Sequence, residues 1–181
     1  ATIYRVVENA FVEDLPSTVG VDYKSYAVDV DGETVTFNLW DTAGQERFRS
    51  VSKAYFRNAV GGIIIFSTTD EQSFADIDGW LSDFHALSAP NSATVLVGNK
   101  VDLTAERAVT SAEAEAYAQR HNMDYIETSA KDGTGVSDVF YRIAKLIKER
   151  IQKGDIQPPQ PPQGRITQPV ETREVNQGCS C

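Results

Sequence analysis

The sequence ATVLVGNKVD at residues 93–102 decides the fold, because it joins an unbroken apolar run to a polar loop. The run from Ala93 to Val97, like the run GGIIIF at residues 61–66, is typical of a strand buried on both faces of a parallel sheet. Between the two runs, apolar side chains recur at helical spacing, at Ile77, Trp80, Leu81, Phe84 and Leu87. This order of strand, helix and strand predicts an α/β protein.

Patterns on both sides of this unit extend the prediction. Two segments of alternating apolar residues flank the turn signal Asp31-Gly32, which predicts a β-hairpin. Thr110 and Glu113 form a capping-box pattern at the start of a helix that lasts to about Arg120. The remaining predicted elements are a helix over Ile3 to Ala10, a strand over Tyr125 to Thr128 and a last helix over Val139 to Ile151. We therefore predict an open α/β sheet that is mostly parallel, with one antiparallel hairpin strand.

The composition indicates one globular domain with a tail. The chain has 181 residues, and 17 basic against 26 acidic residues give a formal charge of −9, which argues against binding to a nucleic-acid backbone. The longest apolar run, Ile63 to Phe66, is far shorter than the roughly 20 residues of a membrane span. We expect a domain at residues 1–151 and a flexible tail, rich in Pro and Gln, at residues 152–181.

Three predicted strands end in polar loops, where α/β proteins bind ligands. The loops read Asp41-Thr42-Ala43-Gly44-Gln45-Glu46, Asn99-Lys100-Val101-Asp102 and Thr128-Ser129-Ala130-Lys131. An Asp at a strand end can hold Mg²⁺ through water, and a carboxylate in the second loop could accept hydrogen bonds from the N1 and N2 edge of guanine. Each loop taken alone could also be an ordinary turn.

The three loops together resemble those of the small GTPases, and further segments resemble the Rab subfamily. These segments are Val19-Gly20-Val21-Asp22-Tyr23, Arg47-Phe48-Arg49-Ser50-Val51-Ser52 and Tyr55-Phe56-Arg57-Asn58-Ala59. The sequence Gln-Glu-Arg-Phe directly after Asp-Thr-Ala-Gly is highly specific for that subfamily. The resemblance covers residues 1 to about 151 and implies the three-layer fold of the P-loop NTPases.

The resemblance also implies site residues. Gln45 would position the hydrolytic water, Thr18 and Asp41 would hold Mg²⁺, and Gly44 would contact the γ-phosphate. The remaining residues of the implied nucleotide site are Phe11 against the guanine, Ser17, and the base pocket of Asn99, Lys100, Asp102, Ser129, Ala130 and Lys131. The implied cofactors are GTP or GDP and Mg²⁺.

Two further features concern partners. Tyr23, Trp40 and Tyr55 resemble the aromatic triad that Rab effectors contact, and their other interpretation is a partly exposed core. Cys179 and Cys181 resemble the Cys-x-Cys that carries two geranylgeranyl groups in this subfamily, which would suffice for stable membrane anchoring. The alternatives for the cysteines are a metal-binding pair or an unmodified tail. In contrast, Asp76, Asp78 and Asp83 are expected on a solvated helix face.

The phosphate-binding loop of the family, G-x-x-x-x-G-K-[ST], is absent from the sequence. In the family this loop and the strand before it directly precede the helix that Ala1 to Asn9 resembles. We therefore expect the given chain to be incomplete at its N-terminus. The family's first strand lies between the hairpin and the strand at Ile63, so we expect unpaired backbone groups there.

The resemblance implies a guanine-nucleotide switch that hydrolyses GTP and regulates vesicle traffic. It would act with effectors, an exchange factor, a GTPase-activating protein and a GDP-dissociation inhibitor, on the cytoplasmic face of endomembranes and in exchange with the cytosol. The alternative is a membrane-tethered interaction module that does not use nucleotide. The sequence does not indicate the organelle.

Overall fold

The computed structural model describes residues 2–12, 21–42 and 49–157. The elements are α1 (Thr2–Glu8), β1 (Val21–Val30), β2 (Glu33–Thr42), α2 (Arg49–Phe56), β3 (Gly61–Ser67), α3 (Glu71–Ala75), α4 (Ile77–Leu87), β4 (Ala93–Asn99), α5 (Ser111–Arg120), β5 (Asp124–Thr128) and α6 (Val136–Lys153). A short 3₁₀ turn, Thr104–Glu106, lies between β4 and α5. The alternation of strands and helices confirms the predicted α/β class.

The strands form two sheets. Strands β3, β4 and β5 form a parallel sheet with β4 in the centre, and β1 pairs with β2 as an antiparallel hairpin. In the parallel sheet Ser67, Asn99 and Thr128 are register partners, so the carboxyl ends of the three strands meet at one edge. The hairpin turns at Asp31 and Gly32, whose φ angles of 55° and 82° suit the two-residue turn that the sequence predicted.

Helices cover both faces of the parallel sheet. On one face α4 and α5 pack on β3 and β4 through a cluster that includes Ile77, Leu81 and Tyr117. On the other face α6 contributes Val139, Phe140 and Ile143 to a second cluster. The hairpin also packs on this second cluster, where the Tyr26 and Phe140 rings lie 5.4 Å apart. Helix α6 therefore joins the hairpin to the parallel sheet.

The prediction that both apolar runs are buried on both faces is right for β4 and wrong for β3. Val95, Leu96 and Val97 are fully buried, whereas Ile65 is 42% exposed. The physical reason is that β3 is an edge strand in the described part of the chain, paired with β4 alone. Within the described residues no strand joins β2 to β3, so the hairpin and the parallel sheet are separate, in agreement with the gap that we expected where the family's first strand would lie.

Local signals set the helix boundaries. The predicted capping box is present, because the Thr110 hydroxyl accepts a hydrogen bond from the Glu113 backbone N–H and the Glu113 carboxylate accepts one from the Thr110 backbone N–H. Helix α6 ends where Gly154 adopts a φ of 80°. Ile156 is still buried beyond that helix, past the boundary expected at residue 151.

None of the helices in the described ranges is long and apolar enough to cross a membrane.

Candidate functional site

The loops that follow β4 and β5 meet through the side chain of Asn99. Its amide oxygen Oδ1 accepts hydrogen bonds from the Thr128 hydroxyl at 3.2 Å and from the Ala130 backbone N–H at 3.1 Å. Because Asn99 and Thr128 are register partners in the parallel sheet, the strands themselves set this contact. Asn99 therefore holds the start of the second loop from the end of the neighbouring strand.

Asp102 makes the second link between these loops. Lys100 has a φ of 71°, which is unusual for a residue with a side chain and turns the chain sharply at the end of β4. After this turn the Val101 backbone N–H donates to the Thr128 carbonyl at 3.2 Å. The Asp102 carboxylate accepts a hydrogen bond from the Ser129 hydroxyl at 2.7 Å. The structure thus brings both polar loops into one site, with Lys100 and Lys131 exposed at its rim.

The site has the groups needed to recognise a purine base. Asp102 uses its Oδ1 oxygen toward Ser129, and within the described residues Oδ2 has no hydrogen-bond partner. A carboxylate in this position accepts N–H donors, and guanine presents two adjacent N–H donors at N1 and N2 whereas adenine does not. The backbone N–H of Lys131 also has no protein acceptor in the described chain, so it can donate to a carbonyl group.

A hydrogen-bond network around the Glu127 carboxylate connects the segments next to the two loops. The Glu127 carboxylate accepts both arms of the Arg107 guanidinium, at 2.8 and 3.0 Å, and the Ser111 hydroxyl at 2.6 Å. The Tyr125 hydroxyl donates to the same carboxylate at 3.0 Å. The Arg107 hydrogen bonds hold the pKa of Glu127 at about 2, although partial burial opposes the shift. Arg107 follows the Asp102 loop and Glu127 precedes the Ser129 loop, so this ion pair ties the two loops together.

The other predicted site residues belong to other segments of the chain or lie outside the described residues. Phe11 is half-buried after the end of α1, and Asp41 is half-buried near the end of β2. In the described ranges no group of three or more His, Cys, Asp or Glu side chains could hold a metal ion. The predicted residues that lie outside the described ranges are Ser17, Thr18, Gly44, Gln45, Cys179 and Cys181.

The three aromatic residues that the sequence analysis singled out form one exposed patch. The Tyr23 and Trp40 rings are 4.9 Å apart, and the Trp40 and Tyr55 rings are 5.0 Å apart. Tyr23 and Trp40 are almost half exposed, and Tyr55 is 39% exposed. Strands β1 and β2 pair Tyr23 with Trp40 directly, and Tyr55 reaches the patch from α2. This geometry favours a surface over a partly exposed core.

The prediction of a solvated face is confirmed for Asp76 and Asp78, which are exposed, and wrong for Asp83, whose side chain is mostly covered. Asp83 forms ion pairs with Arg49 and Lys53 of α2, and the Arg49 guanidinium lies 5.1 Å from the centre of the Trp80 ring. The other two acids accept hydrogen bonds, Asp78 from the Tyr117 hydroxyl at 2.6 Å and Asp76 from the Gln72 amide at 2.8 Å. The spacing of polar residues along α4 could not show that Asp83 would form ion pairs with two cationic residues of α2.

Two arginines that the sequence did not indicate also support the site. Arg107 lies five residues after Asp102, and its role depends on Glu127, which the chain reaches 20 residues later. Arg5 on α1 donates through Nη2 to the backbone carbonyl of Lys131 at 2.7 Å. The one local signal was the position of Glu127 immediately before Thr128-Ser129-Ala130-Lys131.

Comparison with known proteins gives a consistent result. Residues 1–149 match the sequence model of the Ras family. The chain is 40% identical over 156 residues to the Ras-related protein Rab-4B of Homo sapiens, in an alignment that covers 86% of this chain and 73% of that protein. It is 43% identical over 149 residues to the Ras-related protein RABD2a of Arabidopsis thaliana, covering 82% and 73%. It is 37% identical over 179 residues to the GTP-binding protein YPTM2 of Zea mays, covering 99% and 87%.

Proposed function

Because the chain belongs to the Ras family of small GTPases and to its Rab group, we propose that it is a guanine-nucleotide switch in vesicle transport. In this proposal the protein binds GDP and GTP, hydrolyses GTP, and offers a different surface to its partners in each state. Members of the family hydrolyse GTP. Our proposal concerns the residues of this chain that would carry out this activity and the cellular process that it would serve.

The observation that carries the proposal is the linked pair of loops at Asn99 to Asp102 and Ser129 to Lys131. Asn99 joins the two loops, Asp102 is oriented by Ser129, and a backbone N–H remains available at Lys131. These groups match guanine, because the carboxylate accepts from N1 and N2 while the amide donates to the O6 carbonyl. Adenine lacks the N1–H and the O6 carbonyl, so the same arrangement would leave Asp102 unpaired with it.

We assign the chemistry of hydrolysis to residues outside the described ranges together with Asp41. Gln45 would orient the attacking water, and Thr18 and Asp41 would hold Mg²⁺ near the phosphates. Mg²⁺ neutralises charge on the phosphate oxygens when it is bound. An arginine supplied by an activating protein would accelerate the reaction, as in related GTPases.

We assign partner binding to the exposed patch of Tyr23, Trp40 and Tyr55. Clustered aromatic residues with large exposed areas are frequent energetic centres of protein interfaces. The partners in this proposal are effectors, an exchange factor, an activating protein and a GDP-dissociation inhibitor. Prenyl groups on Cys179 and Cys181 would hold the switch on the cytoplasmic face of endomembranes, from which it would exchange with the cytosol.

The test is the identity of the nucleotide that the full-length protein retains. We expect purified protein to release about one equivalent of GDP or GTP on denaturation, identified by chromatography. In Asp102→Asn the carboxylate becomes an amide, which cannot accept both guanine N–H groups, so guanine affinity should fall by at least about a hundredfold. Affinity for xanthine nucleotide should rise, because xanthine has a C2 carbonyl that the new amide can donate to.

Asp155→Asn is the matched control, because it makes the same change of charge at an exposed residue beyond α6. Retention of guanine nucleotide by that control and its loss from Asp102→Asn would support the proposal. Wild-type protein that is folded but holds no guanine nucleotide, even when GDP and Mg²⁺ are added, would refute it and favour the nucleotide-independent interaction module.

A further inference from the structure

We infer that Arg5 is a positioning residue for base recognition, which acts by holding the backbone of Lys131 in place. The inference rests on the proposed function, because it concerns the loop that would contact the guanine. It adds a residue of α1 to a site otherwise built from the ends of β4 and β5. Three observations support the inference. Arg5 contacts the Lys131 carbonyl, the neighbouring backbone N–H groups of the loop already have acceptors in the protein, and Gly133 has no side chain to displace the Arg5 guanidinium.

The contact joins two distant parts of the chain. Arg5 Nη2 donates to the Lys131 carbonyl at 2.7 Å across 126 residues of sequence. The length is that of a charge-assisted hydrogen bond, which is stronger than a bond between neutral groups. The Arg5 guanidinium also covers Gly133, where an added Cβ would lie only 3.3 Å from Arg5 Nε. The absence of a side chain at Gly133 thus lets the guanidinium lie against the loop.

The other backbone N–H groups of the loop already have acceptors inside the protein. Ser129 donates to the Thr134 carbonyl, Ala130 to Asn99 Oδ1, and Gly133 to the Ser129 carbonyl. The Asp132 N–H donates to the Ser129 hydroxyl at 3.2 Å. Among residues 129–133, the Lys131 N–H is therefore the one without an acceptor in the described part of the chain. It is the backbone donor that a ligand carbonyl could use.

Arg5 restrains Lys131 through a hydrogen bond to its backbone carbonyl. The backbone of Lys131 lies between an amide held by Asn99 and an amide held by Ser129, and its own carbonyl is held by Arg5. A peptide held in this way has little freedom to rotate its N–H away from the ligand. Loss of Arg5 would leave the Lys131 carbonyl to water and let this residue reorient, which costs binding energy only if the ligand accepts from its N–H.

The test compares two ligands, of which one has the carbonyl in question and one lacks it. GDP has the O6 carbonyl, whereas the diphosphate of 2-aminopurine riboside keeps the 2-amino group but lacks both that carbonyl and the N1–H. Dissociation of each nucleotide is measured from the full-length protein, wild type and Arg5→Met. Loss of one charge-assisted hydrogen bond that orients a loop should speed GDP release by about fivefold. Release of the 2-aminopurine nucleotide should change by less than about twofold.

Two further variants separate positioning from general stability. Lys24→Met removes the same charge near α1, where Lys24 forms an ion pair with Glu8 at 3.5 Å, and should leave the ratio of the two release rates unchanged. Arg5→Lys keeps a cationic donor and should recover part of the wild-type ratio. It also provides the measurement if Arg5→Met does not fold.

Equal effects of the Arg5 variants on both nucleotides would overturn the inference and indicate a structural role for Arg5. Unchanged GDP release in Arg5→Met would overturn it as well, while the proposed function would stand. If folded wild-type protein held neither nucleotide, the proposed function would fail and the inference with it.

Discussion

The Arg107–Glu127 ion pair gives the sharpest prediction about stability. A fall in the pKa of Glu127 from 4.5 to about 2 corresponds to about 3 kcal/mol of preference for the charged form in the folded protein. Both side chains are partly exposed, 23% for Arg107 and 31% for Glu127, so solvent screening reduces this figure. We expect Glu127→Gln to lower the free energy of unfolding by about 2 kcal/mol at pH 7.

The pH dependence of this effect has a definite direction. The folded protein holds Glu127 ionised at a lower pH than the unfolded chain does, so the unfolded chain binds the proton first. The stabilisation is therefore fully present above about pH 5, and it is lost as the pH falls from 4.5 toward about 2. The difference between wild type and Glu127→Gln should be constant between pH 7 and pH 5.5 and smaller at pH 4.

Urea unfolding followed by circular dichroism measures this difference directly. Glu106→Gln is the control, because Glu106 is an exposed acid next to Arg107 on the same loop. A loss below about 0.5 kcal/mol at pH 7, or a loss that stays the same at pH 4, would refute the reasoning. Arg107→Met combined with Glu127→Gln should cost less than the sum of the two single changes, because each single change leaves one partner without its counter-charge.

Three other predictions concern separate parts of the molecule. Gly98→Ala should destabilise the protein by about 1–3 kcal/mol in thermal or urea unfolding, because the added Cβ would meet the Tyr125 hydroxyl at 2.5 Å and the Phe66 ring at 3.1 Å. Asp83→Asn removes the charge that pairs α4 with Arg49 and Lys53 of α2, so it should speed hydrogen exchange of the α2 amides relative to those of α5. Unchanged exchange would contradict this. Trp40→Ala should reduce the free energy of binding to GTP-dependent partners by about 2 kcal/mol, seen as weaker capture of these partners from cell extract, without changing the bound nucleotide. Equal capture by wild type and variant would show that the patch is not part of the interface.

The sequence was sufficient for features that depend on neighbouring residues. The hairpin turn at Asp31-Gly32 and the capping box at Thr110 are local, and each was predicted from a few residues. Burial of β4 was also predictable, because its apolar run is continuous. Ile65 was not predictable in this way, since its exposure depends on which strands pair with β3 rather than on its own sequence.

The same distinction applies to the site. Asn99 and Asp102 could be placed beside Ser129 from the sequence, because parallel strands end at one edge of the sheet and bring their loops together. Arg5, Arg107 and Asp83 could not, because each makes its main contact with a residue that is between 20 and 126 positions away. Charged residues of this kind look solvated in sequence, and only the packing of helices and loops reveals their partners.

The contacts of the Ser129–Lys131 loop imply that three separate segments control it. Asn99 holds the loop from β4, Glu127 and Arg107 hold its approach from β5, and Arg5 holds its far side from α1. If the proposed function is right, a partner that displaces α1 could loosen the base pocket without touching the nucleotide. Hydrogen exchange at Gly133, whose N–H donates to the Ser129 carbonyl, provides the measurement: Arg5→Met should speed exchange there while the amides of β4 keep their protection, and equal protection at Gly133 in both proteins would show that α1 does not act on this loop.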